Sequence, residues 1–186
     1  ARRTRPNLIE PAGPRPWGRF EPADVLFAIL SIVAAVTLLW LGRGMTFFAD
    51  EWALIESRSL GDIQSWFVPH NEHWFTLPVL LYRGLVETLG IGSYVPYHAV
   101  LVALHVVVAI LVYRLTSRSA GRRFALVGGA IVLFLGGGFE NLYWAFQIGF
   151  VGSTLLGLLA GRPQEPVKRT SLHHVHEALG GGPSDA

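Results

Sequence analysis

Two long apolar runs, residues 25–41 and 95–115, constrain this chain more than any other feature. Only Ser31 and Thr37 interrupt the first. With its flanks it supplies roughly 20 residues, enough at ~1.5 Å per residue to cross a hydrocarbon core of ~30 Å. Trp40, near its far end, suits an interfacial anchor. Two shorter apolar stretches follow. The expected fold is therefore all-α: a polytopic membrane protein with about four transmembrane helices, at about 24–41, 95–115, 124–138 and 147–160.

Composition agrees. Of 186 residues, 51% are hydrophobic and 15% charged, against roughly 25% charged in a soluble domain. The absence of cysteine excludes disulfides and thiolate metal sites. The net charge of +2 is no nucleic-acid signal, because the arginines flank apolar runs, where membrane topology accounts for them. The bilayer is the expected partner.

Residues 1–23 carry five arginines and five prolines, which forbid a regular helix and read as a basic tail. No small-residue cleavage pattern follows the first apolar run, so it reads as an uncleaved helix. A second basic cluster, Arg114, Arg118, Arg122 and Arg123, lies between the second and third spans. The segments 42–94 and 139–147 are acidic or nearly uncharged. The positive-inside rule then places the N-terminus in the cytoplasm and both acidic loops outside, in a multi-pass plasma-membrane protein. Residues 161–186 read as a disordered polar tail.

The extracytoplasmic loop 42–94 holds the chemistry. A short helix is expected over 50–60, with Asp50 as N-cap and Gly61 as stop. A second is expected over 76–89, where Leu77, Leu81, Leu85 and Leu89 repeat every four residues and Arg83 and Glu87 pair on another face. It reads as a membrane-surface helix or a short tilted span. In Asp50-Glu51, adjacent carboxylates repel, which raises a pKa and suits a general base or a base beside a cation ligand. The same pair also suits an N-cap with a first-turn acid. His70-Asn71-Glu72-His73-Trp74 follows, hemmed by aromatics. Its histidines share a face if helical and suit a divalent cation or a phosphate; the other reading is a polar surface turn after Pro69. His98 and His105 lie seven residues apart on one face of the second span, placed either to bond a neighbouring helix as neutral rings or to line a path. Glu140, Asn141, Trp144 and Gln147 either complete a cleft or cap two helices.

These features resemble the N-terminal part of a GT-C fold membrane glycosyltransferase, the class that uses polyprenyl-phosphate sugars. The likeness covers about residues 24–160: a first span, a long outer loop opening with Asp50-Glu51, surface helices, then a second span. The segments 70–78 and 138–147 are similar to uncharacterised actinobacterial members. The resemblance implies Asp50 as catalytic base, assisted by Glu51. It implies substrate or phosphate binding by His70, Asn71, Glu72, His73, Trp74, Glu140, Trp144 and Gln147. It also implies a divalent cation near Glu51 and His73, and a polyprenyl-phosphate sugar donor. Family members carry more spans than four. The chain begins at Ala1 and its one methionine is Met45, so a fragment, or a membrane partner supplying missing helices, is expected. The rival readings are a non-catalytic assembly partner and a transporter or flippase subunit.

Overall fold

The computed structural model describes residues 21–134 and 138–161. The expected polar tail and nearly all of the basic tail lie outside these residues. Regular structure among the described residues is helical, apart from one isolated bridge between His70 and His73. Two helices are long and apolar enough to cross a membrane: α1 (Pro22–Gly42) and α5 (Val95–Ser119). Around α1 the large side chains Val25, Ile29, Ile32, Val36 and Trp40 are exposed. An apolar surface of that extent suits a lipid environment, and the two helices together suggest a membrane protein.

Helix α1 starts where Pro22 fixes the first helical residue and Asp24 reaches back to accept from the Glu21 amide at 3.0 Å. Phe27 stacks on Tyr113 of α5 at 4.3 Å, and the Tyr113 hydroxyl donates to Asp24 Oδ1 at 2.6 Å. Helix α6 (Arg122–Leu133) closes this end, with Arg122 paired to both Glu21 and Asp24. Its 12 residues extend about 18 Å. The last long helix, α8 (Ile148–Ala160), is entered through a 3₁₀ turn (Ala145–Gln147), and the two together extend about 24 Å. Helix α5 packs against α1, α6 and α8 and is the spine of the molecule.

Between α1 and α5 the loop folds into α2 (Glu51–Glu56), α3 (Ile63–Phe67) and α4 (Thr76–Leu89). Helix α4 has the expected limits. Helix α2 is shorter than expected, ending at Glu56, and α3 was not expected at all. Buried Arg58 explains the break. Its guanidinium donates to Ser65 O at 2.5 Å and Pro69 O at 3.4 Å, which turns the chain back on itself. Trp66 Nε1 donates to Ser59 O at 2.8 Å and closes the turn. The largest core gathers Leu54, Val79, Tyr82, Tyr94, Tyr97 and Phe146, so the loop helices pack onto the N-terminal end of α5. A short helix α7 (Glu140–Tyr143) lies on the same end, where Leu142 O meets His98 Nε2 at 2.8 Å.

Candidate functional site

The acidic pair divides. One residue along a helix turns a side chain by about 100°. Glu51 is fully buried and Asp50 half-exposed. Glu51 Oε1 accepts from the hydroxyls of Tyr82 at 2.5 Å and Tyr94 at 3.0 Å, and Oε2 accepts from the Phe48 amide at 2.7 Å. Burial lifts the Glu51 pKa above the ordinary glutamate range, against the opposing pull of the Tyr82, Phe48 and Tyr94 hydrogen bonds. Burial also pushes both tyrosines above their usual value. The Tyr94 oxygen accepts from the Ala145 amide at 2.7 Å and lies 3.2 Å from Tyr143 O. Its single proton thus has two acceptors within reach, Glu51 Oε1 and Tyr143 O.

Asp50 occupies the N-cap position of α2, but its side chain caps nothing. Its Oδ2 accepts from Asn71 Nδ2 at 3.2 Å and lies 3.6 Å from His70 Nε2. His70 Nε2 is buried and has no hydrogen-bond partner among the described residues. The His70 ring lies against Phe75 and Phe146. Asp50, His70 and Asn71, separated by some twenty residues in sequence, therefore form one group.

The helical reading of the histidine segment is corrected. His70 and His73 exchange backbone hydrogen bonds at 3.0 and 2.9 Å, while Asn71 and Glu72 adopt φ of 47° and 64°. Two left-handed residues between an antiparallel pair make a type I′ turn. The polar turn after Pro69 is the observed conformation, and Asn71 is the residue type that tolerates it. Ala49, just before the pair, is also left-handed at φ 48°.

Glu72, His73 and Trp74 are exposed, with His73 edge-on to Phe150. His73 and Trp74 line an open apolar cavity of ≈570 Å³ between α4 and α8, together with Leu77, Leu81 and Leu104. Trp144 stacks on Phe146 at 5.0 Å and has a buried Nε1 with no partner among the described residues. Glu140 is exposed and Gln147 half-buried, and neither side chain makes a hydrogen bond among the described residues. The groups that sequence reasoning missed are Tyr82, Tyr94 and Arg58. The signal for them is weak: a tyrosine within an apolar stripe and an arginine between serines.

Glu51 is sealed by three donors and His73 is exposed, so these two as arranged offer no cation site. Among the described residues no cluster of three or more histidines and acids could hold a metal ion. Comparison with protein-family models, with curated proteins and with solved structures returned no match.

Proposed function

We propose that the chain is a multi-pass membrane glycosyltransferase, or the N-terminal part of one, with four spans and its N-terminus in the cytoplasm. It transfers a sugar from a polyprenyl-phosphate donor to an extracytoplasmic acceptor. The observation that carries this reading is a half-exposed Asp50, held by Asn71 and flanked by His70, whose backbone pairs with that of His73 in the lining of an apolar cavity. Asp50 takes the proton of the acceptor hydroxyl. The acceptor oxygen forms a bond to the anomeric carbon, and the bond from that carbon to the phosphate oxygen breaks with its electron pair leaving on phosphate. His70 and Asn71 orient Asp50, while His73 and Trp74 stand where the phosphate would emerge from the cavity. Glu51 is a positioning residue, fixing α2 beneath the base.

The test is transfer of a radiolabelled sugar from a polyprenyl-phosphate donor by membranes containing the full chain. Asp50→Asn should lower the rate by about 100-fold or more, the usual weight of a general base, with membrane insertion unchanged. Transfer by that variant at the wild-type rate would overturn the reading. A second reading, a non-catalytic assembly partner, is favoured by the length of α6, about 18 Å against a ~30 Å core. It predicts no transfer by the wild-type chain and co-purification with a second membrane protein.

A further inference from the structure

We propose that the cleft between α1 and α5, at the end opposite the acidic pair, is a binding site for an anionic phospholipid. The inference needs the membrane reading but not the transfer reaction. The cleft has a volume of ≈910 Å³ and reaches from α1 to the α5–α6 turn. Phe27, Ile32, Val106 and Ile110 make an apolar floor. Arg114 and Arg118 stand on its rim, both exposed and one helical turn apart on α5. A hydrocarbon chain suits the floor, and two guanidinium groups so spaced suit a phosphate between them.

The charges around the cleft define its occupant. Asp24, the acid lining it, is already matched by Arg122 and by the Tyr113 hydroxyl. Glu21 shares that one arginine, so Arg114 and Arg118 together leave one net positive charge about the cleft. Arg114 and Arg118 make no ion pair among the described residues. The chain's own N-terminal segment is a poor occupant, because residues 1–20 carry five arginines and one acid, and like charges repel. An anionic amphiphile matches both parts of the cleft. The positive-inside assignment puts the cleft in the cytoplasmic leaflet, where anionic lipids concentrate and basic pockets between helices take their head groups.

Native mass spectrometry of the full chain in detergent, with phosphatidylglycerol and phosphatidylcholine at equal concentration, tests the site. Preferential retention of phosphatidylglycerol is expected. Arg114→Gln with Arg118→Gln should weaken it by roughly 10- to 30-fold, the effect of removing two membrane-surface arginines. Ala28→Phe, at an exposed position lining the same cleft, fills the seat without touching charge and should weaken it too. Inorganic phosphate at the lipid's concentration should not displace it. Equal retention of the two lipids would overturn the proposal, as would phosphatidylglycerol binding unmoved by the arginine pair. Loss in the arginine variant with full binding by Ala28→Phe would mean surface attraction without a seat, and would overturn it as well. Displacement by inorganic phosphate would show a phosphate site in place of a lipid site.

Discussion

Tyr82 donates its hydroxyl proton to Glu51 Oε1 across 2.5 Å, joining α4 to α2 through residues 31 positions apart. With Tyr94 on the same oxygen, the bond anchors the loop between α1 and α5 to the N-terminal end of α5. Glu51 is thus a packing element as much as an acid, and the two roles are separable by pH.

Burial places the folded pKa of Glu51 above its unfolded value, so folding favours the protonated form. That contribution is present in full below the ordinary glutamate range and is lost as pH rises through the folded value. Melting of the detergent-solubilised chain from about pH 4 to about pH 8 should therefore show stability falling on the high side. Glu51→Gln, which cannot ionise, should flatten that slope. Tyr82→Phe removes a donor to the carboxylate and should move the fall to higher pH, costing about 1–3 kcal/mol in addition. Parallel curves for wild type and Glu51→Gln would refute the assignment.

The limits of α4 were legible because Leu77, Leu81, Leu85 and Leu89 mark a helical period. Its orientation was not. Val79 and Tyr82 are buried, whereas Leu77, Leu81 and Leu89 face outward. When the surroundings are lipid, apolarity ceases to label the inner face. The two long helices were legible for the simpler reason that length and apolarity suffice. The split of the acidic pair was not, since the tyrosine partners of Glu51 lie 31 and 43 positions away and no spacing rule points to them. The gathering of Asp50 with Asn71 and His70 was equally hidden, because it depends on Arg58 folding the intervening chain back.

The I′ turn makes its own prediction. Glu72 holds a left-handed conformation at φ 64°, which costs an L-residue about 1 kcal/mol and glycine almost nothing. Glu72→Gly should raise the melting temperature and leave the Asp50–Asn71 contact in place. A helical segment would respond in the opposite sense, since glycine there costs about 1 kcal/mol. The sign of the change in thermal melting decides between them.

Helix contact at the opposite end depends on Gly129, where an added Cβ would collide with the Phe27 ring. That ring is held by stacking on Tyr113 and cannot swing aside without opening the α1–α5 contact. Gly129→Ala should cost about 1–3 kcal/mol through overpacking, although alanine is the better helix former. Phe27→Leu in the same chain should recover part of the loss. Gly128→Ala meets nothing within 4 Å and is the matched control, expected to be neutral or stabilising.

Arg58 offers the sharpest test of how the loop between α1 and α5 is held. Its side chain is buried and its donors satisfy the carbonyls of Ser65 and Pro69, the two points between which α3 ends and the I′ turn begins. Arg58→Met keeps most of the aliphatic stem but strands both carbonyls, at a cost of about 1–3 kcal/mol for each buried group left unpaired. The damage should be local, because α1, α5 and α6 pack together without the loop. Hydrogen exchange should accelerate over 57–75 in the variant while the amides of α5 keep wild-type protection. On the proposed transferase reading, sugar transfer should fall with the loop's protection even though Asp50 itself is intact. Exchange that rises equally in α5 would mean that Arg58 supports the whole molecule and not the loop alone.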